Sequence, residues 1–402
     1  MRSKDSRRGR GFQPAIDALR AASLTAGALL AAALLASITA SSTGASAGTS
    51  GRAGVPPVDS LRITPVGRRD FVARENPDKT LLPEGLSAIL WLGGDDYLSV
   101  GDEHPCLHPL TIRVDPDSGR ILTATFGAPI RLTDSLGIRF PEDTMGKDRE
   151  GIAPGPTSES VWLANEWTGA DIHKPSLELH SMEDGRMLRL VRTDGDSILS
   201  VFSRIRYNLG FESLCKTPDG SAYWTGNEGP LQMDGRRPSD STDAVVRLIR
   251  FDGAMRPLAE YPYRIDAYAK RIASPFFLVG NEANGLSDLV ALPGGRLLAL
   301  ERSFAGDANG AANFRHRIYV VDPAGATDVS GSGFADGLVG KDYTAARKRL
   351  LWQMNSGFTN SNFEGMCLGP RLRNGDRVIL LIADNDQGRS EALYSLRLSG
   401  LP

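Results

Sequence analysis

One pattern leaves few folds open to this chain: a two-part unit that recurs along it. Glu150-Gly151-Ile152 is followed by Trp162-Leu163-Ala164-Asn165-Glu166, and Glu212-Ser213-Leu214 by Trp224-Thr225-Gly226-Asn227-Glu228, with the same twelve-residue step from Glu to Trp. Looser copies run from Glu84-Gly85-Leu86-Ser87 to Gly101-Asp102-Glu103, from Asn284-Gly285-Leu286-Ser287 to Glu301-Arg302, and from Glu364-Gly365-Met366-Cys367 to Asp384-Asn385-Asp386. The five units start 62 to 80 residues apart. A repeat of this kind constrains architecture more firmly than local propensity, because one unit cannot bury its apolar face alone and must stack on its neighbours.

Within each unit, short apolar runs such as Ser87 to Leu92, Arg296 to Leu300 and Val378 to Ala383 flank turn signals. Those signals are Gly93-Gly94, Pro218-Asp219-Gly220, Pro293-Gly294-Gly295 and Asn374-Gly375-Asp376, and they predict a β-hairpin in each unit. A further strand ending in an Asp-to-Gly turn follows, as in Ile112 to Gly119, Leu248 to Gly253 and Ile318 to Gly325; Leu177 to Gly185 is a weaker copy, and Leu393 to Leu398 ends the chain without a turn. Small antiparallel sheets of about four strands, repeated radially, make an all-β propeller. Five blades are visible, and residues 233 to 280 leave room for a degenerate sixth. The competing β-sandwich gives no reason for a repeat of this length.

In a propeller the inner strand of every blade lines the central channel. Glu84, Glu150, Glu212, Asn284 and Glu364 share one position in the repeat, near the start of the predicted inner strand, and so are expected to face one another. Carboxylates brought together need a partner, and an all-oxygen set suits a hard cation such as calcium. The bland alternative is that each Glu accepts hydrogen bonds from a neighbouring turn. A second acidic set, Asp102, Glu103, Glu166, Glu228, Glu301, Asp384 and Asp386, falls at the far end of the hairpins. Asp384-Asn385-Asp386-Gln387-Gly388 has the residue types of a calcium loop without the full spacing of an EF-hand. Arg302, directly after Glu301, has the fork to clamp an anionic group, or simply to form an internal ion pair.

Other chemistries find less support. His104, Cys106 and His108 have zinc-ligand types but no partner cluster elsewhere, and the flanking prolines suit an ordinary loop. No nucleophile elbow, P-loop or dinucleotide fingerprint occurs in a suitable context. A net charge of −2 with interspersed signs carries no basic block, so nucleic acid is not an expected partner. Three cysteines make no disulfide scaffold; Cys215 and Cys367 each lie three residues after a repeated Glu and read as equivalent core positions. Residues 1–20 are basic and Ala21 to Ala40 is apolar; Ala45-Ser46-Ala47 then offers small residues for cleavage. That order predicts a signal peptide over residues 1–47, a segment 48–81 and a propeller from 82 to 402, secreted or periplasmic and free of the membrane once cleaved. A retained anchor is the alternative, although Ala and Ser dilute the stretch. The mature chain is expected to be a monomer.

Asn208-Leu209-Gly210-Phe211-Glu212-Ser213-Leu214, Asn227-Glu228-Gly229-Pro230, Leu298-Ala299-Leu300-Glu301-Arg302-Ser303-Phe304 and Asn362-Phe363-Glu364-Gly365-Met366 with Asp384-Asn385-Asp386, in this order, resemble the phytase-like, "esterase-like activity of phytase" family of exported bacterial proteins. The resemblance runs from about Leu82 to the end. It implies a propeller that hydrolyses a small-molecule ester or phosphoester. The residues suit a metal-assisted route, with Glu84, Glu150, Glu212, Asn284, Glu364 and Asp384 as ligands. Glu228 or Glu301 would take the proton of a water and Arg302 would meet developing negative charge. Only Lys147, Arg149 and Arg302 lie beside the acidic motifs, few cations for a hexaphosphate substrate. A calcium-stabilised propeller that binds a glycan or protein without catalysis, and a lactonase, are the alternatives.

Overall fold

The computed structural model describes residues 60–71, 83, 85–101, 104–140, 148–166, 175–194, 198–239, 241–267, 283–306, 312–354, 361–384 and 391–402. They form almost nothing but strands. A strand β1 (Arg62–Phe71) precedes the first blade, which holds β2 (Leu86–Gly93), β3 (Asp96–Gly101), β4 (Cys106–Val114), β5 (Ile121–Phe126) and the short β6 (Ile130–Arg131). The second holds β7 (Arg149–Pro154), β8 (Ser160–Asn165), β9 (Ser176–Ser181) and β10 (Met187–Arg192). The third holds β11 (Phe211–Lys216), β12 (Ala222–Asn227), β13 (Ala244–Asp252) and β14 (Pro257–Ile265). The fourth holds β15 (Ala283–Leu292), β16 (Arg296–Gly306), β17 (Ala312–Asp322) and β18 (Arg347–Gln353). The fifth holds β19 (Asn362–Arg371), β20 (Arg377–Asp384) and β21 (Glu391–Ser399), with β1 as its outermost strand.

The five inner strands, β2, β7, β11, β15 and β19, contact one another in sequence and close into a ring. The chain is therefore a five-bladed β-propeller. The room for a sixth blade between residues 233 and 280 is taken, in its described part, by β13 and β14, the outer half of the third blade.

The predicted hairpin turns form where glycine can take the left-handed backbone they need: Gly93, Gly94, Gly220, Gly294, Gly295 and Gly375 all have positive φ. Each junction between blades has its own apolar cluster. Leu163, Val161 and Leu98 pack between the first and second blades, Phe202, Phe211 and Tyr223 between the second and third, and Trp224, Leu286 and Leu297 between the third and fourth. Leu300, Phe363 and Leu381 join the fourth to the fifth, and Leu86, Tyr97 and Leu380 join the fifth back to the first. Middle strands such as β8 and β12 are consequently buried on both faces, whereas the outermost β10 is largely exposed. Cys215 and Cys367 are free, buried members of two of these clusters, three residues past the same inner-strand position, as expected. Among the described residues no helix is long and apolar enough to cross a membrane.

The ring is closed by the segment that the sequence reading set apart. β1, from residues 48–81, pairs antiparallel with β21 from Arg62↔Ser399 to Phe71↔Glu391. It covers the β21 edge that would otherwise stand open, and so supplies the partner missing from the final strand.

Candidate acidic centre at one end of the channel

The inner strands share an irregularity that positions the site. Each has a bulge against the second strand of its blade: Glu150 lies between the pairs Arg149↔Asn165 and Gly151↔Ala164, Glu212 between Phe211↔Asn227 and Ser213↔Gly226, and Glu364 between Phe363↔Ala383 and Gly365↔Ile382. In the first and fourth blades the bulged residues are Ser87 and Ser287. A bulge re-aims the extra side chain. The ring of equivalent positions is therefore Ser87, Glu150, Glu212, Ser287 and Glu364.

This corrects the expected ring at Asn284. Asn284 lies three residues before the bulge, and both ends of its amide are used: Ser303 Oγ donates to Oδ1 at 3.1 Å, and Nδ2 donates to the Asp266 carbonyl at 2.6 Å. Glu84 itself falls outside the described residues, but Ser87 holds the equivalent place. The Glu-Gly/Asn-Gly likeness was misleading; aligning Gly210-Phe211-Glu212 with Gly85-Leu86-Ser87 and Gly285-Leu286-Ser287 recovers the true register.

A second ring comes from the ends of the second strands. The Glu166 N–H bonds to the Asp148 carbonyl and the Glu228 N–H to the Gly210 carbonyl, while Arg302 pairs with Gly285 and Asp384 with Asn362. Arg302 thus holds the place that Glu166 and Glu228 hold in their blades, and Glu301 holds the place of Asn165 and Asn227. Successive strand residues point to opposite faces, so Glu301 turns away from the centre. It is fully buried and accepts from Tyr263 Oη at 2.8 Å and Lys348 Nζ at 2.5 Å, with Arg317 Nη2 at 3.4 Å. Its assignment beside Glu228 as a proton acceptor is not what the geometry shows. Asp384 accepts from Asn362 Nδ2 at 3.3 Å and, among the described residues, joins no set of three converging acids. Asp102, Glu103 and Asp386 lie outside the described residues.

Glu166, Glu228 and Arg302 each lean on the next blade. The Gly210 N–H donates to Glu166 Oε1 at 2.6 Å. A methyl group at Gly210 would come within 2.7 Å of Glu166 Cγ, and one at Gly285 within 2.4 Å of Glu228 Cγ, so glycine is needed at both positions to admit the carboxylates. Arg302 Nη2 donates to Glu364 Oε1 at 2.6 Å and lies 3.2 Å from Glu228 Oε1. His316 Nε2 accepts the Phe363 N–H at 3.0 Å; burial, then the Arg302 charge, hold this imidazole down to about 3, so it stays neutral.

The result is two overlapping carboxylate sets, Asp148, Glu150 and Glu166 in one and Glu166, Glu212 and Glu228 in the other, with ligand oxygens within 4.8 Å of each other in each. Burial pushes Glu150, Glu166 and Glu212 well above the usual carboxylate range, and neighbouring acids push them further: Asp148 and Glu212 act on Glu150, Asp148 and Glu228 on Glu166, Glu166 and Glu228 on Glu212. Sets of this composition, without histidine or cysteine, can hold a hard divalent cation. The His104, Cys106 and His108 group forms no such set among the described residues. Asp148 escaped sequence reasoning because it occurs once, outside the repeat. Glu166 was visible as an acid but not as the residue common to both sets.

The profile of the phytase-like family, described as "esterase-like activity of phytase", matches residues 83–387. The chain belongs to the phytase-like family. No curated protein matches this phytase-like chain. Solved structures similar to it include hydrazine synthase of Kuenenia stuttgartiensis, with 12% identity and a TM-score of 0.32 over 78% of this chain and 59% of that one. The endo-arabinase of Bacteroides thetaiotaomicron VPI-5482 has 14% identity and a TM-score of 0.40, covering 85% of the phytase-like chain and 96% of its own. An α-L-arabinofuranosidase of Podospora anserina, in complex with cellotriose, has 10% identity and a TM-score of 0.36, covering 86% and 99%. Likeness at this level carries no information about the reaction.

Proposed function

We propose that the chain is an exported hydrolase that cleaves esters or phosphoesters with a divalent cation, calcium foremost, held at the acidic end of the channel. The supporting observation is the convergence of Glu150, Glu166, Glu212 and Glu228, four buried carboxyl groups that need either protons or a cation. The esterase-like description of the family supports hydrolysis as the reaction class. Export rests on the basic, apolar and small-residue order of residues 1–47.

A bound cation would polarise the reacting oxygen and lower the pKa of a water beside it. Glu166 and Glu212, which share one carboxylate set with Glu228, would hold the ion. Glu228 would accept the proton of the attacking water. Arg302, whose Nη2 reaches Glu228 and Glu364, would turn part of its fork toward negative charge developing on the substrate, with Glu364 keeping the guanidinium in place.

The test is turnover of nitrophenyl acetate, nitrophenyl phosphate, a simple lactone and phytate, each with calcium and with chelator. Calcium-dependent turnover of an ester or phosphoester is expected. A folded, calcium-binding protein that turns over none of them would instead favour a propeller stabilised by the ion whose loops bind a glycan or protein.

A further inference from the structure

We propose that the acidic centre holds two divalent cations bridged by Glu166, rather than one. This rests on reading the carboxylates as a metal centre and concerns its nuclearity. The two carboxylate sets share only Glu166: Asp148 and Glu150 meet it from the second blade, Glu212 and Glu228 from the third. Ligand oxygens 4.8 Å apart or less fit around one ion whose oxygen distances are about 2.3–2.6 Å, and the five acids group as two such sets rather than one. Two spheres that meet at a shared carboxylate are the arrangement of two-metal sites, whose ions lie about 3.5–4 Å apart.

Glu166 supplies the second observation. It is 1% exposed; its Oε1 is fixed by the Gly210 N–H at 2.6 Å, and its Oε2 is buried and receives no nitrogen or hydroxyl donor. Its close neighbours are other acids, Glu212 and Glu228, with ligand oxygens within 4.8 Å. Gly210 lacks the Cβ that would come within 2.7 Å of Glu166 Cγ, and so admits the side chain to this position. An oxygen held among acids in this way is built for a cation on each side. Charge agrees: five carboxyl groups are gathered here and Arg302 offsets one of them, so one divalent cation leaves two charges unmatched and two cations leave none.

The experiment is native mass spectrometry with a calorimetric titration of the full chain, first stripped with chelator and then supplied with calcium or manganese. Wild type should bind two ions. Asp148→Asn and Glu228→Gln should each retain one, and Glu166→Gln should weaken both by about tenfold or more. One ion in the wild type would overturn the bridged pair and leave a single-cation centre standing; no ion would overturn both. Should the variants fold poorly, the electron paramagnetic resonance of the manganese-loaded wild type decides: spin-coupled manganese supports the pair, and isolated ions overturn it.

Discussion

Arg302 of the fourth blade is within 2.6 Å of Glu364 in the fifth and within 3.2 Å of Glu228 in the third through the same nitrogen, so one guanidinium ties three blades at the end of the channel. Arg302 and its two partners are mostly buried, with side-chain exposures of 15%, 10% and 6%. An ion pair in that setting matters most through what is left when one member goes.

Arg302→Met should therefore cost on the order of 3 kcal/mol in the cation-free protein, because two carboxylates lose their counter-charge. Calcium should recover part of the loss. Denaturant unfolding with and without calcium measures both effects, and equal stability of variant and wild type would show that the guanidinium does not hold the blades.

Glu212→Gln and Glu301→Gln separate the centre from the buried ion cluster behind it. Glu212→Gln should lower cation affinity and leave cation-free stability unchanged or higher, since a crowded buried acid is removed. Glu301→Gln should reduce stability by roughly 3 kcal/mol, because Arg317 loses its carboxylate and Lys348 keeps only that of Asp266, with cation affinity unchanged. Calorimetric titration and thermal unfolding of both variants test the contrast.

Gly285→Ala changes no charge, yet its methyl group would sit 2.5 Å from Glu228 Oε1. The displaced carboxylate should weaken cation binding and any hydrolysis, with an overpacking cost of about 1–3 kcal/mol. Unaltered cation affinity in a folded variant would remove Glu228 from the centre.

The pH dependence has a definite sign. Glu150, Glu166 and Glu212 are raised above 4.5 in the folded state, so between that value and their folded values the native protein binds protons that the unfolded chain has released. Their contribution is complete at low pH and is lost as pH rises towards the folded values. In chelator, the melting temperature should fall with rising pH relative to the same protein in calcium, and calcium binding should release protons. Parallel curves in chelator and calcium would show that these acids do not bind the ion.

The repeat, its hairpin turns and its alternation of apolar runs determined a propeller from the sequence, because each states a local requirement: glycine where the backbone must turn left-handed, apolar side chains where a blade meets its neighbour. Glu150, Glu212 and Glu364 were legible for the same reason, as copies of one position. The true register was less so, because the Asn-Gly likeness lies three residues before the equivalent position, and the ladder of hydrogen bonds puts Ser87 and Ser287 at the bulge that Glu150, Glu212 and Glu364 hold in their blades. Nor was the sidedness of Glu301 and Arg302, adjacent in the chain and opposite across the sheet. Closure of the ring by β1 and the meeting of Asp148 with Glu166 join single segments that no repeat announces. Sequence determines what each unit does in the same way as its copies; only the tertiary structure decides which side chains of different blades share one small volume, where burial and mutual charge create the chemistry.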